Sequence, residues 1–262
     1  MAGIRFGREG VPMTGNRFAG EPCVYCGAAP STTDDHVFAR KFFLEKRRDR
    51  LPQVPACSRC NGAKSELESE LMTMAPFGGR HLDAEENLAR LAAPRVAKNL
   101  RLRRRLAQGQ ARLWSAEADI YRQTMTVPFD WEKVEALCVY LAKGLAWHHW
   151  KVRLGADCFV EAHLLSGPVD RMFRAMQQLN ARARVDESLG EGTFSYRGAQ
   201  GVDNPQITVW EFTVYGGLVS EHGAGAGQPN VGVMTGPARV QETAERTADL
   251  LSKWRRGVRL HG

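Results

Sequence analysis

The sequence has no run of apolar residues long enough to cross a bilayer, so its apolar content reads as core rather than membrane span. Met1 to Gly20 carries scattered Arg and Gly and lacks the apolar stretch of a secretory signal. A soluble, cytoplasmic protein with no membrane partner is therefore expected. There is no internal repeat and no long low-complexity tract, which removes solenoids and extended disordered tails from consideration. Cysteine is sparse, six in 262 residues. In a reducing compartment such residues serve as metal ligands or buried thiols rather than disulfides. Acidic residues are outnumbered, 29 against 36 Lys and Arg, leaving a net charge of +7. That balance favours an anionic partner, of which nucleic acid is the commonest, although a soluble protein can be basic without one. An apolar share of 43% supplies a hydrophobic core without help from a metal, except in one small N-terminal segment.

That segment is residues 21–65, which holds four of the six cysteines and is dense in turn formers such as Cys26-Gly27, Pro30-Ser31 and Asn61-Gly62. It buries too little apolar area to hold its shape alone, and a metal cross-link would supply the missing constraint. Residues 1–20 read as a flexible arm. From Ser65 the pattern turns helical, with Leu67, Leu71 and Met74 on one face until Pro76-Phe77-Gly78-Gly79 breaks it. The likeliest division is an arm at 1–20, a module at 21–78 and an α+β domain at 79–262.

In that third part a helix is expected from Asp83 to Gln108, ending in the basic run Arg101 to Arg105. The strongest helix runs from Trp131 to Val152, with Val134, Leu137, Cys138, Leu141, Leu145 and His148 on one face, Asp130 as N-cap and Gly155 as stop. Cys158 to Ala162 reads as a strand, Val169 to Ala183 as a helix, and Thr193 to Tyr196 and Ile207 to Tyr215 as strands. Leu218 to Glu221 is expected to pair back after a Gly216-Gly217 turn, giving antiparallel sheet. A loop at Gly223 to Gly227 and a helix from Pro237 to Arg256 follow. The fold class is α+β, and the large region is free for substrate contacts, a homodimer interface or a protein partner.

Cys23-Val24-Tyr25-Cys26 and Cys57-Ser58-Arg59-Cys60 are two CxxC pairs separated by 30 residues. A spacing of two lets both thiolates of a pair reach one tetrahedral ion, and two pairs close a four-ligand structural site. Four thiolates suit zinc. Gly27 follows the first pair, where a tight turn needs a residue without a side chain. A redox CxxC would sit between a strand and a helix, a context absent here. Cys138 and Cys158 read as buried free thiols.

Between the pairs stands Thr33-Asp34-Asp35-His36-Val37, and straight after the second come Asn61 and Lys64. The order CxxCG, Asp-His with an apolar residue, then CxxCN with a Lys three positions on, resembles the HNH endonucleases of the ββα-metal (treble-clef) type. The likeness covers residues 21 to 75. It implies a zinc-stapled ββα module that hydrolyses phosphodiester bonds in nucleic acid, with DNA the first substrate expected and RNA the second. It assigns His36 as general base, Asp35 and Asn61 as ligands of a catalytic Mg²⁺ or Mn²⁺, and Lys64 as a contact to the phosphate backbone; Arg40 and Lys41, basic and just beyond His36, are expected to contact phosphate by their charge. The chemistry agrees: a neutral imidazole takes a water proton, and a hard cation binds oxygen ligands. Two points strain it. Adjacent strand residues face opposite ways, so Asp35 and His36 need a kink to meet one phosphate. The stretch before the second pair, Arg50 to Ala56, has no Asn to orient His36, and Gln53 or a backbone carbonyl would have to serve instead. The bland alternatives are Asn61 as a helix N-cap, Lys64 as a solvated charge, and the whole as a non-catalytic zinc module that binds nucleic acid or protein.

Trp147-His148-His149-Trp150 ends the most apolar helix. Neighbouring helical histidines point about 100° apart and do not readily chelate one ion, so packing is the expected role. The basic residues Lys46, Arg47, Arg48 and Arg50 are further candidates for phosphate contacts, with a solvated loop as the alternative.

Overall fold

The computed structural model describes residues 16–109, 111–117, 120–126, 130–165, 167–178, 181–217 and 231–238. The strand at Leu218 to Glu221, the loop at Gly223 to Gly227, most of the helix expected at Pro237 to Arg256 and the first fifteen residues of the arm lie outside them. The fold is mixed α+β. Among the described residues no helix is long and apolar enough to cross a membrane.

The chain begins with the first cysteine pair and a short antiparallel hairpin, β1 (Thr33–His36) and β2 (Gln53–Ala56), in which His36 stands opposite Gln53 and Asp35 opposite Val54. Helix α1 (Ser58–Met74) starts directly at the second cysteine pair and ends in a 3₁₀ turn at Ala75–Gly78. The helix therefore opens seven residues before its apolar periodicity becomes visible at Ser65.

The helix expected at Asp83 to Gln108 is broken in two places. It consists of α2 (Leu82–Asn87), a π turn at Leu88–Ala92, α3 (Ala93–Lys98) and α4 (Leu100–Gly109). Asn99 leaves the helical region and caps α4 by accepting the Leu102 N–H at 3.0 Å, a role for which Asn is favoured. A second hairpin follows, β3 (Ala111–Glu117) and β4 (Ile120–Thr126). Helix α5 (Trp131–Trp150) is capped at Asp130 as expected, but it stops at Lys151 in the left-handed region at φ 57°, four residues before Gly155.

Among the described residues the main sheet has five antiparallel strands in the order β5-β9-β8-β7-β6. They are β5 (Cys158–Leu164), β6 (Ala181–Leu189), β7 (Phe194–Gly201), β8 (Thr208–Val214) and β9 (Val231–Pro237), with α6 (Gly167–Gln178) between β5 and β6. The helix expected to reach Ala183 ends at Gln178, and its last residues begin β6. Strand β8 is buried along its whole length, as its apolar residues on both faces suggest. Trp210 and Phe212 face α5, and Glu211 faces the other way.

One apolar core joins the cysteine segment to the sheet. Val37, Phe38, Phe42 and Phe43 follow β1 and pack with Leu137, Leu141 and Leu145 of α5 and with Phe194, Tyr196 and Trp210 of the sheet. The Phe38 and Phe194 rings are 4.3 Å apart between centroids. The loop between β1 and β2 is also tied by polar bonds: Asn87 Nδ2 and Tyr215 Oη both donate to the Phe42 carbonyl at 3.0 Å. Helix α5 approaches the hairpin so closely that a Cβ on Gly144 would lie 3.0 Å from a Val37 methyl. Replacing Gly144 by Val should therefore cost about 1–3 kcal/mol through overpacking, read as a lower denaturant midpoint in equilibrium unfolding. A midpoint equal to the parent's would mean that α5 does not seat on the hairpin as described.

Candidate functional site

The two cysteine pairs converge. The sulfurs of Cys23, Cys26, Cys57 and Cys60 lie within 4.8 Å of one another. The first pair is shaped by the backbone: the Gly27 N–H donates to the Cys23 carbonyl at 2.8 Å, and Gly27 itself sits at φ 69°, the left-handed conformation its position in the sequence foretold. Main-chain N–H groups also point at sulfur. Those of Ala29 and Ala28 pull the Cys26 thiol down to about 6, the Ala29 contribution being the larger. Burial instead pushes the Cys23 and Cys60 thiols up. A set of four converging sulfurs, some stabilised as thiolate and some penalised for want of a counter-charge, fits a divalent cation, which would deprotonate all four. The cluster can hold a metal ion such as zinc.

Behind the cluster, β1 shows two faces, and the strain noted in the sequence is real: Asp35 is buried, and His36 is half-buried on the other side. On the inner face α1 packs its polar stripe against β1. Lys64 is wholly buried; its ammonium donates to Glu68 Oε1 at 2.5 Å and to the His36 carbonyl at 2.7 Å, and it pairs with Asp35 Oδ2 at 3.1 Å. Tyr25 Oη donates to Asp35 Oδ2 at 2.5 Å. Burial drives the Glu68 carboxyl up to about 7 against the pull of Lys64, and it drives the Tyr25 phenol up further. Asn61 Nδ2 donates to Thr33 Oγ1 at 3.1 Å on the same face.

These positions correct two expectations. Lys64 does not contact a phosphate backbone, because it has no exposed surface and its ammonium is committed to three internal acceptors. Asp35 does not present an open carboxylate, since one oxygen already serves both a lysine and a tyrosine. As they stand, Asp35 and Asn61 do not form a ready site for Mg²⁺ or Mn²⁺: an ammonium 3.1 Å from the carboxylate repels a second cation. Asn61 keeps its amide oxygen unassigned, and the role of helix N-cap does not fall to it, because Cys57 holds that position.

On the outer face His36 meets Gln53 from the opposite strand, with 3.2 Å between the His36 Nε2 and Gln53 Nε2 atoms. Gln53 therefore stands where an orienting residue was lacking. Burial, followed by the nearby Arg40 guanidinium, holds the His36 ring below the usual histidine range. Arg40 and Lys41 are exposed beside it. Asp34, on the same face, is occupied by the main-chain N–H groups of Arg17 at 2.8 Å and Phe18 at 3.2 Å. Of the other basic candidates, Arg47 is used internally, pairing with Asp83 and Glu191 at 3.3 Å, and Arg48 Nε donates to the Phe43 carbonyl. Lys46 and Arg50 are exposed.

The sequence did not reveal the part played by α5. The aromatic ring of Tyr140 packs edge-on to Tyr25 at 4.9 Å, and Lys143 Nζ donates to the Tyr25 carbonyl at 3.1 Å. His149 turns to the sheet, where it meets Tyr196 Oη at 3.0 Å, and burial pushes its ring down to about 4. Packing was the role expected of the two histidines, and His149 adds this directed polar contact to it. The available signal was a spacing of three or four residues along α5 among Tyr140, Lys143 and Gly144.

Compared with protein-family models, with curated proteins and with solved structures, the chain shows no match.

Two measurements check this geometry. Atomic absorption on the purified chain should find about one zinc per molecule, and a strong chelator should remove it with loss of thermal stability; a metal-free protein of unchanged stability would refute the cluster as a metal site. Lys64→Met should destabilise by about 3–5 kcal/mol, because it strands Asp35 and Glu68 as unpaired buried carboxylates. A variant as stable as the parent would return Lys64 to the surface.

Proposed function

We propose that the protein is an HNH-type endonuclease that hydrolyses phosphodiester bonds in nucleic acid, DNA first, with His36 as general base. The observation that carries this is His36 itself: a half-buried imidazole at the end of the first strand of a ββα unit, met across the hairpin by Gln53 at 3.2 Å. An amide offers a ring either its nitrogen or its oxygen by a half-turn. As placed, Arg17 Nη2 donates to the Gln53 oxygen at 3.5 Å and the amide nitrogen faces His36 Nε2; a half-turn of the amide would give up the Arg17 contact, let the oxygen accept from Nε2–H and leave the Nδ1 lone pair to take the proton of an attacking water. Gln53 thus does the orienting work, and Arg40 and Lys41 supply positive charge for the phosphate. Zinc in the four-cysteine cluster would hold the frame and take no part in the chemistry.

The likeness to HNH nucleases also implies a catalytic Mg²⁺ or Mn²⁺, which would stabilise charge on the phosphate. In this chain Asp35 would first have to give up Lys64 and Tyr25, so the roles assigned above rest on His36, Gln53 and the arginine and lysine side chains alone. The same observation favours a second reading. A module whose Asp and Lys are locked in a buried network is suited to hold nucleic acid or a protein without cutting it.

Plasmid nicking separates the two. The parent protein should nick DNA, His36→Ala should lower the rate at least about 100-fold, and comparing the zinc-loaded protein with and without added Mg²⁺ or Mn²⁺ reports whether a second ion is needed. Equal nicking by His36→Ala would sink the mechanism. No cleavage of DNA or RNA by the parent with Mg²⁺, Mn²⁺ or neither, together with retained binding, would establish the second reading.

A further inference from the structure

The charge of this chain is not spread evenly. Residues 88–116 contain seven Arg, one Lys and no Asp or Glu. They carry +8, against +7 for the whole chain, so the other residues together sum to −1. The basic character that points to an anionic partner therefore belongs to one segment. It forms the π turn at Leu88–Ala92, α3, α4 and most of β3.

Helix α4 has two unlike sides. Leu106 is buried and Leu102 half-buried, so the apolar side is turned inward. Arg101, Arg103 and Arg104 are exposed, and Lys98 is exposed just before them. Elsewhere the chain gives exposed helical arginines an acid one turn away: Arg90 pairs with Glu86 at 2.9 Å, and Arg174 with Asp170 at 3.0 Å. In α4, Arg105 reaches Asp130 at 3.9 Å, at the start of α5. Arg101, Arg103 and Arg104 have no acidic partner among the described residues. Arg101 also stands one turn from Arg104 and Arg105, and like charges at that spacing weaken a helix. A merely solvated face gains nothing from this arrangement, whereas a polyanion laid on it would remove the repulsion.

The residue type narrows the partner. A guanidinium fork matches two phosphate oxygens at once, and arginine outnumbers lysine seven to one in the segment. A bilayer fits poorly, because apart from Leu100 the leucines of α4 that would enter it are packed inward. A nucleic-acid strand repeats a phosphate every ~3.4 Å, close enough for neighbouring side chains on one helix face to be met together. We propose that the outer face of α4, with Lys98, Arg101, Arg103 and Arg104, binds the phosphate backbone of nucleic acid at a distance from His36. The proposal takes from the functional reading only that the partner is nucleic acid. The distance follows from α5, where Asp130 meets Arg105 and Gly144 lies against Val37, the neighbour of His36. These positions are 14 residues apart, about 20 Å along the helix and twice the screening length in physiological salt. The α4 face is thus a second foothold, separate from the charge at Arg40 and Lys41.

The test is fluorescence anisotropy of the full, zinc-loaded chain on a labelled duplex of about 20 base pairs, over a range of salt. Arg101→Gln/Arg103→Gln/Arg104→Gln removes three charges and keeps helix preference. We expect its affinity to fall at least about 10-fold, and the slope of log K against log salt to become shallower by about 2–3. Lys at the same three positions should keep most of that slope. Arg171→Gln/Arg182→Gln/Arg197→Gln, at exposed positions of α6, β6 and β7, should bind as the parent does. The α4 Gln variant should melt no lower than the parent, because it relieves repulsion. An unchanged slope overturns the proposal, as does an equal loss in the α6 and sheet variant. So does lower melting with lost binding in both the Gln and the Lys variants, which makes the face structural. Polyglutamate or anionic vesicles bound as tightly as duplex would also overturn it, as would a parent that binds no nucleic acid. If the parent binds duplex through α4 but nicks nothing, this proposal stands and the nuclease reading fails. If the parent nicks, His36→Ala does not, and the α4 Gln variant binds like the parent, the nuclease reading stands and this one fails.

Discussion

Lys64 is an ammonium group wholly withdrawn from water, and the arrangement of the hairpin follows from how it is compensated. Removing such a charge from solvent costs several kcal/mol unless close acceptors replace the lost water. The chain supplies a carboxylate from β1, a carboxylate one turn along α1, and the His36 carbonyl. These contacts dock the helix against the strand in a single register, because a slip of one residue would turn Asp35 outward and leave the ammonium unpaired. His36 is thereby presented on the opposite face, with its main chain anchored from behind. The residue before the proposed base and the lysine after the second cysteine pair work as internal braces, which is also why the ligand set of a catalytic divalent ion is not standing ready.

The cysteine cluster and α5 hold the same hairpin from two other sides. The cluster joins the loop before β1 to the start of α1, so one ion would fix the entrance and exit of the ββα unit together. Helix α5 lies across it with Tyr140 and Lys143 on the first cysteine pair and Gly144 on Val37. The module is thus packed into the shared apolar core of the α+β region.

Much of this was legible from residue types and spacing. Two CxxC pairs predicted a four-sulfur cluster, Gly27 predicted a tight turn, and Asp130 predicted the start of α5. Other elements were hidden for physical reasons. Strand β6, with Arg182, Arg184, Asp186 and Glu187, is an edge strand whose pairing comes from β7, not from its own apolar pattern. Strand β9 contains two glycines, which weaken strand preference, and is ordered by neighbours on both sides. The end of α5 was misplaced because Lys151 adopts the conformation for which Gly155 was the obvious candidate.

The sequence by itself determined the metal-binding cluster, the α+β class and the segment that carries His36, because each depends on local spacing or composition. Only the tertiary structure decided which way each side chain of that segment faces and what it meets. Asp35 and Lys64 close on each other because strand alternation and helix packing bring them to one face. Gln53 comes to His36 across 17 residues of chain by strand register, and Gly144 comes to Val37 across 107 by the seating of α5, and no local pattern encodes either distance.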